Sequence, residues 1–156
     1  MHHHSVITTA TADDLPEILT LQKRCYQENA LRYNNPDIPP LRQSFEEIKA
    51  EFDRSTFLKA TADGKIIGSI RGFCSEGSCF ICRLFVHPDF QNRGTGRKLL
   101  HAIEHHFSGI LRFELFTGHK DDKNIALYTK MGYRKFKEEL RNNDGMLFFF
   151  MEKIIG

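Results

Sequence analysis

The sequence predicts a single α/β domain in which helices cover the faces of a mixed, mostly antiparallel sheet of about six or seven strands. Three observations indicate this fold. Strand-like apolar runs alternate with stretches of helical periodicity. Asp63-Gly64 and Glu76-Gly77 separate three consecutive strand-like runs, and such dipeptides are typical of β-hairpins. A glycine loop after the third run opens a helix, and the chain of 156 residues has the length of one ordinary domain.

The first half of the chain is predicted to form one strand, two helices and an antiparallel meander. Pro16 suits the first turn of a helix that Thr11 or Asp13 can cap. Ser44 and Glu47 have the spacing of a capping box, which marks the start of the second helix. A proline-rich segment between the two helices breaks the helical pattern and is predicted as a loop. The predicted strands are residues 6–10, 56–61, 65–74 and 79–86, the loop is 34–40, and the second helix ends near residue 52.

The second half is predicted to add two helices and three strands, which gives the order β-α-α-β-β-β-α-β-α-β-β with about four helices. Asn142–Gly145 is a strong hairpin signal between the last two strands. The run Phe148–Phe150 predicts a strand buried on both sides. An apolar strand near the chain end is also a candidate for pairing with a second copy, so a homodimer is one expectation. The predicted elements are helices 97–107 and 122–131 and strands 111–117, 133–140 and 146–154.

Composition and charge exclude several classes of protein. The net charge of +2 is too small to indicate nucleic-acid binding, for which a basic stripe is expected. No apolar run approaches the roughly 20 residues that span a bilayer, so no membrane partner is expected. The start, Met1–Ser5, lacks the apolar stretch of a secretion signal, and four cysteines are then free thiols by default, which predicts a cytoplasmic protein. Histidines 2–4 resemble a tag remnant, so the domain is taken as residues 5–156.

Two spacings that could hold a metal are better explained without one. Cys79 and Cys82 have the spacing of half a zinc site, but no second pair completes it. An odd offset in a strand also points the two thiols to opposite faces. His101 and His105 share one face of a helix, yet no glutamate follows His101 as in the metalloprotease pattern. The sequence therefore predicts no metal site.

The most informative segment is a glycine loop between an apolar strand and a helix. The strand ends at Val86, and the loop Gln91–Gly96 leads into the helix. Glycine lets backbone approach a ligand closely, and the first turn of a helix carries unpaired N–H groups and the positive end of the dipole. Such an end binds anions such as a pyrophosphate, and Arg93, Arg97 and Lys98 add positive charge.

Other phosphate-binding loops fit this segment less well. The P-loop spacing Gly-x4-Gly-Lys-Ser/Thr is absent. A dinucleotide fingerprint would need a third glycine three residues after Gly96, where Leu99 stands. The remaining alternative is a simple glycine turn before a helix, and Gly94-x-Gly96 alone does not decide between that turn and an anion site.

The stretch Leu84–Pro88, followed by Gln91-x-x-Gly94-x-Gly96, resembles the acetyl-CoA motif of the GNAT acetyltransferase superfamily. The resemblance implies the GNAT fold and acetyl-CoA as co-substrate. It implies that main-chain groups of the strand pair with the pantetheine arm and that loop amides bind the pyrophosphate. The implied cofactor-binding residues are Leu84, Phe85, Val86, Gln91, Asn92, Arg93, Gly94, Thr95, Gly96 and Arg97.

A second segment, Asn124–Tyr133, resembles the Asn-x-x-x-Leu-Tyr-x-x-x-Gly-Phe/Tyr segment of the same superfamily. Asn124 and Tyr128 are four residues apart and share one helical face, and Gly132 suits the end of that helix. An amine that attacks a thioester expels a thiolate, and a nearby phenol can protonate it as a general acid. Tyr128 is therefore the candidate general acid and Asn124 a further cofactor contact. The alternative is that Tyr128 only packs between helix and sheet.

Glu114 is the candidate general base, because it is an acidic residue inside the apolar run of a strand. In several superfamily members a glutamate on this strand acts as the base, often through water. The alternative is that Glu114 only pairs with Arg112 or another neighbour. Glu76 is a weaker candidate, and no base is needed if the acceptor amine has a low pKa. Covalent catalysis by Cys74 or Cys82 is less favoured than direct transfer, because no histidine stands at an evident partner position.

The segment between the first two helices is the candidate acceptor site, because loops of this kind carry specificity. By resemblance, this region lines the acceptor side, and Glu28, Tyr33 and Asp37 could contact an amine. The sequence thus predicts an N-acetyltransferase that moves the acetyl group of acetyl-CoA to a primary amine, on a small molecule or a peptide, in a ternary complex. The alternatives are a non-catalytic acyl-CoA-binding or sensor module and a nucleotide-binding protein that uses the same loop.

Overall fold

A seven-stranded sheet with the order β1-β2-β3-β4-β5-β7-β6 crosses the part of the chain that the computed structural model describes, residues 5–141 and 145–156. Neighbouring strands are antiparallel except β4 and β5, which are parallel. The strands are β1 (Val6–Thr9), β2 (Thr56–Ala62), β3 (Lys65–Ser75), β4 (Ser78–Val86), β5 (Arg112–Gly118), β6 (Arg134–Leu140) and β7 (Leu147–Ile154). The helices are α1 (Leu15–Cys25), α2 (Gln27–Arg32), α3 (Pro39–Arg42), α4 (Phe45–Phe52), α5 (Thr95–His106) and α6 (Asp122–Lys130). The predicted fold class is confirmed.

The helical region before β2 is more divided than predicted. The first predicted helix is two helices, α1 and α2, which meet at Tyr26. The prediction of a loop over the whole of 34–40 is wrong at its end, because Pro39 and Pro40 form the first turn of α3. Proline is compatible with a first helical turn, where its fixed φ fits and its missing N–H costs nothing. The capping box of Ser44 and Glu47 is confirmed at the start of α4.

The two short hairpins of the meander form as predicted. In the β2–β3 turn, Asp63 and Gly64 have φ of 52° and 77°. In the β3–β4 turn, Glu76 and Gly77 have φ of 50° and 83°. Two successive positive φ values define the turn type whose twist matches antiparallel strands. The predicted turn at Asn142–Gly145 lies largely outside the described residues, and the strands on either side of it, β6 and β7, pair antiparallel.

The prediction that Phe148–Phe150 is buried on both sides is wrong. These side chains are only half-buried, because the neighbouring strand β6 is exposed along its whole length. The backbone of β7 is paired with β5 on one side and β6 on the other. A strand of a second copy therefore cannot add to β7, and a homodimer stays a prediction that would need another surface.

The hydrophobic core lies in two layers, one on each face of the sheet. On one face, Leu99 and Ile103 of α5 are fully buried against the meander strands. On the other face, Ile18 of α1 and Ile48 of α4 are fully buried against Phe57. Burial of these apolar surfaces on both faces stabilises the sheet that carries the candidate site.

A buried arginine connects the sheet to the helices of the second face. Arg71 of β3 is fully buried, and its Nε donates to Glu51 Oε2 of α4 at 2.8 Å. Its Nη2 donates to Gln43 Oε1 at 3.0 Å, and Gln22 Nε2 of α1 donates to the same oxygen at 3.0 Å. The guanidinium carbon lies 4.7 Å from the ring centroid of Phe57. Burial lowers the pKa of Arg71, and the Glu51 carboxylate opposes this effect.

We expect Glu51→Gln to lower the free energy of unfolding by about 3–5 kcal/mol, because it leaves a buried guanidinium without its counter-charge. Urea denaturation followed by circular dichroism measures this change. Glu46→Gln, on the exposed side of the same helix, is the matched control and should leave stability nearly unchanged. Similar effects of the two substitutions would contradict a structural role for the ion pair.

Candidate active site

The candidate site is a cavity between two strands that begin as neighbours and then separate. Parallel pairing of β4 with β5 is confined to Ser78–Phe80 and Arg112–Glu114. Beyond it, β4 contains a bulge at Arg83, whose φ is 53°, and its register against β3 shifts at this point. An extra residue bends the bulged strand. The gap that results is a cavity of about 780 Å³ between residues 81–86 of β4 and 115–118 of β5.

The loop that leads into α5 presents bare backbone amides to this cavity. Gln91 Nε2 donates to the carbonyl oxygen of Val86 at 3.1 Å and ties the start of the loop to β4. Asn92 and Gly94 have φ of 62° and 80°, which turns the chain sharply before Thr95 begins the helix. Among the described residues, the amides from 92 to 97 find no hydrogen-bond acceptor. Unpaired amides at the positive end of a helix dipole suit a diphosphate.

The structure brings almost all predicted cofactor-binding residues to the cavity wall. Arg93 is the exception, because its guanidinium carbon lies 5.5 Å from the ring centroid of Phe90 and it is not part of the lining. A Cβ at Gly96 would lie 3.6 Å from Leu127, which is an ordinary van der Waals contact, so helix packing alone does not require glycine there. The predicted residues that line the cavity are Leu84, Phe85, Val86, Gln91, Asn92, Gly94, Thr95, Gly96, Arg97 and Asn124.

Tyr128 of α6 also lines the cavity, and only 5% of its surface is exposed. Burial raises the pKa of its phenol, and Tyr26, Asp121 and Cys82 add to the shift. Its ring centroid lies 6.1 Å from that of Tyr133. Unlike Tyr133, whose hydroxyl donates to Glu104 at 2.6 Å, Tyr128 has no hydrogen-bond partner for its hydroxyl within the described ranges. The phenol is therefore protonated at neutral pH and free to donate a proton.

Glu114 is not brought to this cavity. Its carboxylate accepts from Arg112 Nη2 at 2.8 Å, and Nε of the same guanidinium donates to Glu152 on β7 at 2.9 Å. Glu114 lies in the paired part of β5, before the strands separate. Glu76 occupies the turn at the far end of the β3–β4 hairpin. The geometry thus favours the ion-pair interpretation of Glu114, and its role as a base stays a prediction without structural support.

The predicted acceptor residues are only partly assembled at the cavity. Glu28 and Tyr33 line it from α2 and its end, whereas Asp37 does not. The Tyr33 hydroxyl donates to Asp121 Oδ1 at 3.1 Å and accepts from the backbone N–H of Lys120 at 2.9 Å. A side chain on Gly118 would collide with the Tyr33 ring, so this close approach requires glycine.

Sequence reasoning missed a hydrogen-bonded carboxylate that organises this end of the cavity. Asp121 accepts from Arg32 Nη1 at 2.9 Å and from the Thr117 hydroxyl at 3.1 Å, in addition to Tyr33. Asp121 directly precedes α6, and its position as the N-cap residue was a signal in the sequence. Its partners on α2 could not have been found from spacing, because they lie 88 and 89 residues away.

The cysteine and histidine spacings form no metal site in the described part of the chain, where no cluster of three or more His, Cys, Asp or Glu side chains is found. Cys79 is fully buried with the core beneath α5, whereas Cys82 Sγ lies 3.9 Å from Glu51 on the opposite face. The predicted orientation of the two thiols is confirmed.

None of the helices in the described ranges is long and apolar enough to cross a membrane.

Comparison with known proteins agrees with this geometry. A family profile described as "Acetyltransferase (GNAT) domain" matches residues 26–155. The chain belongs to the GNAT acetyltransferase family. The curated UPF0157 protein YqkA of Bacillus subtilis (strain 168) is 31% identical over 131 residues, which is 84% of this chain and 37% of that protein. The GNAT chain described here thus spans little more than a third of that relative's length.

Solved structures share the fold at low sequence identity. The ribosomal-protein-S18-alanine N-acetyltransferase of Escherichia coli superposes with a TM-score of 0.80 at 18% identity, over 98% of this chain and 95% of that one. The PaiA N-acetyltransferase of Thermoplasma acidophilum, solved in complex with coenzyme A, superposes with a TM-score of 0.69 at 21% identity, over 97% of this chain and 99% of that one. A spermidine N-acetyltransferase chimera that includes the Vibrio cholerae protein superposes with a TM-score of 0.74 at 16% identity, over 96% of this chain and 95% of that one.

We expect Gly94→Ala to weaken coenzyme A binding about tenfold. Alanine adopts the left-handed conformation at a cost of about 1–2 kcal/mol, so the loop relaxes and its amides no longer converge; about 1.4 kcal/mol corresponds to a factor of ten. Isothermal titration with coenzyme A measures the dissociation constant.

Gly109→Ala is the matched control for this substitution. Gly109 has φ of 98° in the turn after α5, has no neighbour near its missing Cβ and does not line the cavity. It should lower stability by a similar amount and leave coenzyme A affinity unchanged. Equal affinities of the two variants would argue against the loop as the binding site.

Proposed function

We propose that this protein is an N-acetyltransferase that moves the acetyl group of acetyl-CoA directly to a primary amine in a ternary complex. One observation carries the proposal: the gap between β4 and β5 joins the amide-lined loop to the α2 side, with the Tyr128 phenol in its wall. A thioester and an amine entering from opposite ends would meet beside this phenol. Such proximity is itself a large part of catalysis.

The cofactor half of the cavity has the donors that acetyl-CoA requires. Amides of residues 92–97 are available to the pyrophosphate, and hydrogen bonds to charged groups are worth about 1.5–3 kcal/mol each. Beyond Phe80, the edge of β4 that faces β5 has no strand partner. Main-chain groups of Leu84–Val86 are therefore available to the amide groups of the pantetheine arm, as in an added strand.

Tyr128 is proposed to protonate the leaving group. The amine nitrogen bonds to the thioester carbon, the carbon–sulfur bond breaks, and the phenolic proton passes to the sulfur. The phenolate then regains a proton from the solvent that receives the proton of the amine. A phenol whose pKa is raised by burial keeps its proton until a thiolate develops beside it. General acid catalysis of this kind contributes about 10²- to 10⁴-fold.

The proton of the amine is proposed to leave through solvent in the open cavity rather than through Glu114, which is held by Arg112. Of the lining carboxylates, Asp121 is already engaged by Arg32 and Tyr33. Glu28 is exposed on α2 and could take part through water. The reaction then favours acceptors with a sizeable neutral fraction at the working pH.

Direct transfer is favoured over a covalent cysteine intermediate. Cys25 and Cys82 line the cavity, but burial raises the pKa of Cys25 to about 12 and also raises that of Cys82. The thiolate is the nucleophile, so both groups are poor ones at neutral pH. The cysteines of the described chain are free, which suits a cytoplasmic protein, the location we propose.

The acceptor is proposed to be a small-molecule or peptide amine. Structural relatives include enzymes named for an alanine of a ribosomal protein and for spermidine. Enzymes with this fold are therefore named for both protein and small-molecule acceptors. The competing candidate, an acyl-CoA-binding or sensor module, shares the loop but needs no proton donor in the wall. A measurable rate of acetyl transfer therefore distinguishes the acetyltransferase from the binding module.

Tyr128→Phe should lower kcat about 100-fold or more with an accepted amine, while the dissociation constant of coenzyme A stays the same. The measurement is release of coenzyme A thiol from acetyl-CoA across a panel of amines, together with titration calorimetry. Tyr133→Phe is the matched control: it removes a buried phenol next to Tyr128 that does not line the cavity. This control should lose stability but keep its turnover.

Unchanged turnover in Tyr128→Phe would remove this residue from the mechanism. Coenzyme A binding by the wild type without thiol release for any amine would support the sensor module instead.

A further inference from the structure

Arg83, at the bulge of β4, presents an unpaired guanidinium to the cavity. Arg83 is part of the cavity wall, and its Nε is buried without a hydrogen-bond partner. Among the described residues, no hydrogen bond or ion pair involves its side chain. Arg83 as a whole is half-buried, but a donor of a charged group that is removed from water without an acceptor is costly, so the fold retains here a donor that its own residues do not satisfy.

The residues around Arg83 make its unpaired positive charge less favourable instead of neutralising it. Its charge contributes to lowering the pKa of Arg71, so the two guanidinium groups repel each other. The carboxylate of Glu51 is bound to Arg71 at 2.8 Å and to Gln43 at 2.9 Å. The group of Arg71, Arg83 and Glu51 therefore keeps one uncompensated positive charge, next to the ring of Tyr26.

Among the described residues, no carboxylate of the acceptor side forms an ion pair with Arg83. Asp121 is paired with Arg32 at 2.9 Å. Glu28 also lines the cavity, from the exposed side of α2, and forms no ion pair with Arg83 among the described residues. The unpaired guanidinium of Arg83 would attract an anionic group of an acceptor and repel a cationic acceptor such as a polyamine.

We propose that Arg83 binds an anionic group, a carboxylate or a phosphate, of the amine that is acetylated. This inference rests on the proposed acetyltransferase function and names its substrate class. A guanidinium offers a planar fork of donors that matches carboxylate and phosphate oxygens. Arg83 and Tyr128 line the same cavity, so one small acceptor can carry both the anionic group and the reacting amine. Amino acids and amino phosphates meet this condition.

The test compares acceptors that differ only in the anionic group. Glycine and phenylalanine are compared with glycinamide and phenylalaninamide, phosphoethanolamine with ethanolamine, and spermidine is added as a polycation. We expect the wild type to prefer the anionic member of at least one pair by about 10- to 100-fold in kcat/KM, the effect of one charged hydrogen-bonded contact. The amide amines are the less basic, so a preference for the acids cannot come from the neutral fraction of the amine.

Variants assign the preference to Arg83. Arg83→Gln replaces the guanidinium with a shorter, neutral polar side chain and should abolish the preference by lowering kcat/KM for the anionic acceptors to the level of their neutral partners. Arg83→Lys should retain part of the preference. Arg134→Gln, which removes an exposed guanidinium on β6, is the matched control. The same preference in wild type and Arg83→Gln, or a preference for spermidine, would overturn the proposal.

A binding measurement keeps this proposal separate from the acetyltransferase proposal. Calorimetry of the coenzyme A complex with N-acetylglycine, N-acetylglycinamide and N-acetylphosphoethanolamine needs no turnover. We expect the anionic probes to bind about tenfold tighter or more, and Arg83→Gln to remove this difference. If no amine is acetylated but the difference appears, the enzyme proposal fails and Arg83 remains an anion site. If amines are acetylated and no difference appears in either assay, Arg83 has no such role.

Discussion

The separation of β4 from β5 is the constraint on which the rest of the site depends. Two parallel strands that stayed paired along their full length would bury every backbone group between them and leave no room for a ligand. Here the bulge at Arg83 bends β4 away after Phe80, and both strands keep their other neighbours, β3 and β7. The sheet thus stays continuous while a cavity opens in its middle, and the polar backbone groups that are exposed there are available to a ligand.

The bulge also connects the site to the most costly buried charges of the fold. Arg71 lies on β3 opposite Cys82, and the next residue, Arg83, places a second, half-buried guanidinium nearby. The protein neutralises the first through Glu51 of α4 and leaves the second facing the cavity. A stability element and a ligand-facing charge are therefore built from neighbouring residues of one distorted strand.

The two ends of the cavity are held by different means. At the end proposed for the cofactor, the left-handed Gly94 and the start of α5 fix a row of amides, which needs only local backbone geometry. At the end proposed for the acceptor, Asp121 joins α2, β5 and the start of α6 through Arg32, Tyr33 and Thr117. Tyr128 lies in the wall that both ends share. Local geometry suits a cofactor common to a family, whereas side chains gathered from distant elements suit a specific acceptor.

The sequence by itself determined the sheet meander, the cofactor loop and the helix of Tyr128, because each depends on neighbours within a few residues: glycine at positive φ, alternating apolar residues, and i, i+4 spacing. Only the tertiary structure decided the rest. It paired Glu114 with Arg112 away from the cavity, left Asp37 outside it, and kept Phe148–Phe150 half-buried beside an exposed strand. It also brought Asp121 to α2 and turned Arg83 into the wall. Strand separation and ion pairing are set by residues far apart in the chain, and no local pattern encodes them.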